Sequence, residues 1–283
     1  MKFFHSALCA LLILSGLGLL CMRSALAETP LERGTYLVRG IAACGNCHTP
    51  KGPEGDLPGM ELAGMIYKDS EGKVIYQLPN ITPDPETGVG DWTDEQLVVA
   101  IRQGIRPDGT VMEGIMPFEL YRRLSDADVH AIVAYIRSVP AVRNEIPRPQ
   151  MGEPISAANG ASTLTVASVS RDDLVAYGAY LAGPVGHCVE CHTPGSHGKV
   201  DYANNLGAGG RIFAGPWGES VSLNLTPTGL SRWTDDELKT MISTGVRPDG
   251  SPMLPPMGYS YYAKISDTDL DAIVAYLRSL PAR

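Results

Sequence analysis

One pattern is written twice along this 283-residue chain, and the repeat constrains its fold more than any other feature. Gly34-Thr-Tyr36-Leu37 returns as Gly178-Ala-Tyr180-Leu181. Cys44-Gly-Asn-Cys47-His48-Thr49-Pro50 returns as Cys188-Val-Glu-Cys191-His192-Thr193-Pro194, and Asn80-Ile-Thr82-Pro83 as Asn224-Leu-Thr226-Pro227. All three pairs share an offset of 144 positions. A three-residue deletion after Asp84 then lowers the offset to 141, where it stays. In that second register Trp92-Thr93-Asp94 matches Trp233-Thr234-Asp235, and Gly104-Ile-Arg106-Pro-Asp-Gly109 matches Gly245-Val-Arg247-Pro-Asp-Gly250. Met112 and Met116 match Met253 and Met257, and the run from Ser125 to Tyr135 matches Ser266 to Tyr276. Two homologous domains are expected, at 28–140 and 171–283. Between them, 141–170 is rich in proline and small residues without sustained periodicity and reads as a linker.

The first 27 residues read as a leader. Lys2 precedes an apolar run from Ala7 to Leu20, and Ala25-Leu26-Ala27 closes it in the small-x-small form of a signal-peptidase site. The run is shorter than the roughly 18–20 apolar residues of a membrane span. Cys21 offers a lipid anchor as the alternative, although Leu20 before it is bulky for a lipoprotein site. Export to the periplasm is therefore expected, in an oxidising setting, with the four cysteines of the two repeats remaining after cleavage. A formal net charge of -8 argues against a nucleic-acid partner, because an acidic surface repels phosphates.

Helices follow from spacing and caps. Leu31–Ala43 and Asp172–Leu181 lead into the cysteine pairs. Thr93 and Thr234 are N-cap candidates with Gln96 and Glu237 three residues on, and Gly104 and Gly245 stop those helices. Ser125 and Ser266 cap a last helix that runs to the residue before Pro140 or Pro281, with Val129, Ile132, Val133 and Ile136 on one stripe. No alternating run is long enough for a sheet, so the fold class expected is all-α. Tyr36, Tyr135, Tyr180 and Tyr276 are expected to pack the first helix of each domain against the last.

The cysteine pairs carry the chemistry. Two cysteines two residues apart, followed at once by histidine, form the c-type haem attachment pattern. Thiols at that spacing reach the two vinyl groups of one porphyrin edge, and the turn between them places the next imidazole on the iron. A disulfide, a redox dithiol or a zinc site would not need His48 and His192 in the same place twice, and no other cysteine remains outside the leader. Two covalently attached haem c groups are expected, through Cys44, Cys47, Cys188 and Cys191, with His48 and His192 as proximal ligands. The sixth ligand is expected to be methionine, and each repeat offers two in a Gly/Pro-rich loop: Met112 and Met116, Met253 and Met257. Spacing alone does not choose within either pair. Trp92, Trp233, Arg106 and Arg247 are candidate donors to haem propionates. Asn80 and Asn224 are candidate partners of the haem-loop backbone, and His130, His187 and His197 are not expected to be ligands.

The order CxxCHT, Asn-x-Thr-Pro, Trp-Thr-Asp, Gly-x-Arg-x-Asp-Gly, Met-Pro and Leu-Ser-Asp resembles the class I cytochrome c domains of membrane-associated dehydrogenase cytochrome subunits. Alcohol and gluconate dehydrogenase subunits are the nearest group. The resemblance covers Leu31–Pro140 and Asp172–Pro281 and implies two tandem class I domains. It implies Met116, of the step Met116-Pro117, as an axial ligand, and Met257 as its counterpart, although Gly258 replaces the proline. Those subunits usually carry three haem motifs and this chain has two. The function implied is single-electron transfer from a periplasmic or membrane-associated dehydrogenase to a downstream cytochrome or terminal oxidase, with peripheral membrane association permitted and no catalytic residue. The alternative is a dihaem enzyme, a peroxidase or sulfur-compound oxidoreductase with one open haem.

Overall fold

The computed structural model describes residues 28–68, 72–112, 116–147, 165–196, 199–215 and 217–283. The leader at 1–27, most of the 141–170 linker and His197 lie outside them. The first domain runs α1 (Pro30–Arg39), α2 (Cys44–His48), α3 (Asp94–Gln103), α4 (Phe118–Tyr121) and α5 (Asp126–Ser138). The second runs α6 (Leu174–Tyr180), a π-helical turn at Leu181–Val185, α7 (Cys188–Cys191), α8 (Pro227–Leu230), α9 (Asp235–Thr244), α10 (Tyr259–Tyr262) and α11 (Asp267–Ser279). Among the described residues no helix is long and apolar enough to cross a membrane.

The caps fall where the side chains dictate. Thr93 with Gln96, and Thr234 with Glu237, each form a capping box in which side chain and backbone satisfy one another's donors. Gly104 and Gly245 end the same helices in the left-handed conformation, at φ 68° and 70°. Ser125 and Ser266 cap α5 and α11, which end at Ser138 and Ser279. The first helix of the chain stops at Arg39, short of the expected Ala43, because Gly40 leaves helical geometry there.

In each domain the first helix crosses the last, and that crossing holds the core. Gly34 lies against α5 and Gly178 against α11, with Leu37, Val38, Val129, Ile132 and Val133 buried around the first crossing. Helices form the packed interior, but the expectation of no sheet needs correction. Among the described residues there are four antiparallel hairpins: β1/β2 (Lys51–Gly52, Gly55–Asp56), β3/β4 (Met65–Lys68, Val74–Leu78), β5/β6 (Gly195–Ser196, Lys199–Val200) and β7/β8 (Ile212–Gly215, Gly218–Val221). Their strands are two to five residues long, too short to register as alternation in the sequence.

The domains meet through reciprocal contacts, as a pseudo-twofold relation requires. Tyr36 Oη donates to Asp269 Oδ2 at 2.6 Å and accepts from the Ser266 amide. Its counterpart Tyr180 donates to Asp128 Oδ2 at 2.6 Å and accepts from the Ser125 amide. Tyr36 and Tyr180 therefore reach across to the other domain's last helix, a correction to their expected role within a domain. Tyr135 and Tyr276 do pack where the first and last helices of their own domains cross.

Candidate haem-attachment sites

Each cysteine pair sits on one short turn launched by a left-handed residue. Ala43 (φ 47°) precedes α2, and His187 (φ 43°) holds the same position before α7. Neither is glycine, so each costs of order 1–3 kcal/mol of backbone strain that the surrounding packing must hold. The strain turns the chain abruptly, so that Cys44 and Cys47, and likewise Cys188 and Cys191, share one turn with the histidine that follows. All four thiols are free. Burial raises them: Cys44 and Cys191 to about 12, Cys188 to about 11, and Cys47 upward as well. As thiols rather than thiolates at neutral pH, they are poor metal ligands and slow to exchange.

The histidines are fixed identically. His48 Nδ1 lies 2.8 Å from the Pro79 carbonyl, and His192 Nδ1 lies 2.7 Å from the Leu223 carbonyl. A carbonyl only accepts, so the proton is on Nδ1 and the Nε2 lone pair is left to ligate. Burial lowers the pKa of both imidazoles and keeps them neutral, the form in which histidine binds iron. The carbonyls of the two histidines accept from Gly64 N at 2.7 Å and Gly209 N at 2.8 Å. A Cβ on either glycine would stand within 2.6 Å of the Asn80 or Asn224 amide, so only glycine passes here. These two glycines escape a search at offset 144 because they lie 145 apart.

In the second domain Cys188, His192, Met253 and Met257 all face one apolar cleft of about 700 Å³, counted out to its open mouth. Leu230, Leu238, Met241 and Ile273 supply much of its wall. In the first domain Cys44 and Met116 pack, half-buried, against the same continuous core. The Met116-Pro117 and Met257-Gly258 steps share one backbone path, with φ, ψ of -82°, 62° at Pro117 and -86°, 62° at Gly258. Glycine thus reproduces the proline geometry. Among the described residues no three His, Cys, Asp or Glu side chains converge as a metal site. Paired thiols, a neutral imidazole with free Nε2 and an apolar cleft holding methionine sulfurs are the donor set that a covalently bound haem requires.

The sequence pattern of the cytochrome c family matches residues 32–140 and again 175–281. The chain belongs to the cytochrome c family. Members of this family carry haem c covalently. This cytochrome is 35% identical over 274 residues to the cytochrome c subunit of the quinone alcohol dehydrogenase of Gluconobacter oxydans, covering 90% of this chain and 55% of that subunit. It is 34% identical over 269 residues to the fructose dehydrogenase cytochrome subunit of Gluconobacter japonicus, covering 89% and 53%. A diheme cytochrome c of Cereibacter sphaeroides matches at 26% over 253 residues, covering 84% and 82%. The chain spans about half the length of the two dehydrogenase subunits.

Of the other expected site residues of this cytochrome, the two asparagines are engaged elsewhere. Asn80 Nδ2 donates to the Val142 carbonyl at 2.7 Å, and Asn224 Nδ2 to that of Arg283 at 2.9 Å. Each also caps its own Asn-x-Thr turn, so these asparagines tie down the chain after the last helix rather than the haem loop. Arg106 bonds Thr110, and Arg247 bonds Ser251 and the Pro252 carbonyl, within their own turns. Trp92 and Trp233 offer their carbonyls to Arg137 and Arg278, which also pair with Asp94 and Asp235. That repeated brace went unread, although both arginines lie in the 141 register. His130 is exposed, and the His187 ring meets Tyr121 edge-on at 5.9 Å.

The two attachment turns are not interchangeable. A Cβ on Gly45 would stand 2.5 Å from Tyr261 Oη, which is held by Asp56 Oδ2 at 2.6 Å. Gly45→Val, the side chain present at Val189, is expected to cost about 1–3 kcal/mol by overpacking. Urea denaturation of the variant beside the parent measures it, and an unchanged midpoint contradicts it.

Proposed function

We propose that the chain is an exported, periplasmic dihaem c-type cytochrome that carries single electrons from a dehydrogenase to a downstream cytochrome or terminal oxidase. The observation that carries the reading is the pair of neutral histidines, each behind two free cysteines and each pinned through Nδ1 to the carbonyl 31 residues on. Cys44 and Cys47 would hold the first haem by thioether bonds, and Cys188 and Cys191 the second. His48 and His192 would ligate the two irons through Nε2, and Met116 and Met257 would supply the sulfur ligands. The family resemblance favours these methionines; Met116 packs against the core, and in the second domain Met253 packs there as Met257 does, so there the resemblance alone chooses. Haem iron between imidazole and thioether supplies one-electron exchange at a raised potential. The polypeptide fixes the imidazole tautomer, and with a methionine bound at each iron no position would remain for substrate. The leader at 1–27 supports export. The dehydrogenase donor rests on the relatives, several of which are subunits of such enzymes.

The ferric optical spectrum tests the reading. Methionine sulfur bound to ferric haem gives a weak far-red band, expected here at two-haem intensity. Met116→Ala and Met257→Ala are each expected to remove about half of it. A haem that is high-spin in the unmutated protein, or that binds cyanide readily, would mean an open iron and a dihaem enzyme instead.

A further inference from the structure

The second cleft has a wall residue that does not come from its own domain. Ile41 lies in the segment between α1 and the first attachment turn, three residues before Cys44, yet it lines the cleft that Cys188, His192, Met253 and Met257 face. It is 1% exposed. Its approach depends on Gly186, two residues before Cys188, where a Cβ would stand 3.0 Å from Ile41 Cγ1 and 3.4 Å from the Ile41 carbonyl oxygen. The segments that lead into the two attachment turns therefore pack directly on one another. The edge-on contact of Tyr121 with His187 lies across the same seam.

We propose that Ile41 of the first domain is part of the second haem's apolar wall, so that the first domain sets the reduction potential of the haem in the second. The inference rests on the reading of Cys188, Cys191 and His192 as a haem site. Its physical basis is the net charge of the ferric state. An apolar wall disfavours the charged oxidised form and raises the potential, whereas a polar group in that wall stabilises it. A dihaem carrier assembled this way is one redox unit, because a shift of one domain against the other changes the medium around the second iron.

The experiment compares Ile41→Val with Ile41→Thr in the full haem-loaded chain. The two replacements have nearly the same shape and differ by one hydroxyl, so their difference isolates polarity from cavity formation. Met257→His first identifies the second haem's component in a spectroelectrochemical titration, because imidazole in place of thioether lowers that component alone. Ile41→Thr is then expected to favour oxidation of the second haem by about threefold over Ile41→Val, close to 30 mV at 59 mV per tenfold, with the first component unmoved. Equal potentials for Thr and Val, or a shift confined to the first component, would overturn the proposal. Fewer than two haems per chain in the unmutated protein, by pyridine haemochrome assay, would instead defeat the dihaem reading on which it rests.

Discussion

Gly34→Ala and Gly178→Ala are each expected to disrupt the domain that carries the change, at a cost of about 3 kcal/mol or more. A Cβ on Gly34 would stand 2.0 Å from the Ala131 carbonyl oxygen, and on Gly178 1.9 Å from that of Ala272. Both obstructing atoms are backbone inside a helix, so no rotamer change relieves the overlap. Relief requires the first helix to move away from the last, which opens the buried layer of Leu37, Val38, Val129 and Val133. Overpacking typically costs about 1–3 kcal/mol, and a backbone obstacle lies at or beyond the top of that range. Against the roughly 5–15 kcal/mol of a whole domain, one methyl group removes a large fraction. Thermal unfolding followed by far-UV circular dichroism is expected to show the midpoint falling sharply for each variant. A change of only a degree or two would show that the helices do not cross this closely.

Those two glycines illustrate how much was legible. Their recurrence in Gly34-Thr-Tyr36-Leu37 and Gly178-Ala-Tyr180-Leu181 is plain in the sequence, but repetition marks a position without saying what lies opposite. The cysteine pairs, capping boxes and αL stops were readable because their physics is local: a thiol spacing, a side chain reaching three residues on, a glycine at a helix end. Tyr36 was misplaced because periodicity assigns a residue to a helix face, and that face meets the other domain. Asn80 was misplaced because its partner Val142 lies 62 positions away, beyond the reach of any local pattern. The hairpins escaped because strands of two to five residues carry too few alternations. Ile41 shows the limit of reading by domains, because its contact joins the two repeats and has no signature in either.

Arg33→Met is expected to cost about 3–5 kcal/mol at neutral pH, the range for removing one partner of a buried ion pair. Arg33 and Asp128 are 9% and 6% exposed and pair in the bidentate form, Nε to Oδ1 at 2.7 Å and Nη2 to Oδ2 at 3.0 Å. The Tyr180 hydroxyl of the second domain also donates to Asp128, so the carboxylate joins the α1/α5 crossing to the domain interface. Methionine fills the volume but leaves the negative charge with one hydroxyl donor. In the variant the Asp128 carboxylate stays buried without its cation, and that uncompensated charge is the source of the cost. Arg33→Met/Asp128→Asn is expected to recover much of the loss, since no charge remains buried. The second repeat already lacks the arginine: Tyr177 stands in its place, and Asp269 is held by Tyr36. Urea titrations of the parent and both variants at pH 7 decide it. A single-variant cost below about 1 kcal/mol at pH 7, or a double variant weaker than Arg33→Met, would show that the pair does not hold the crossing.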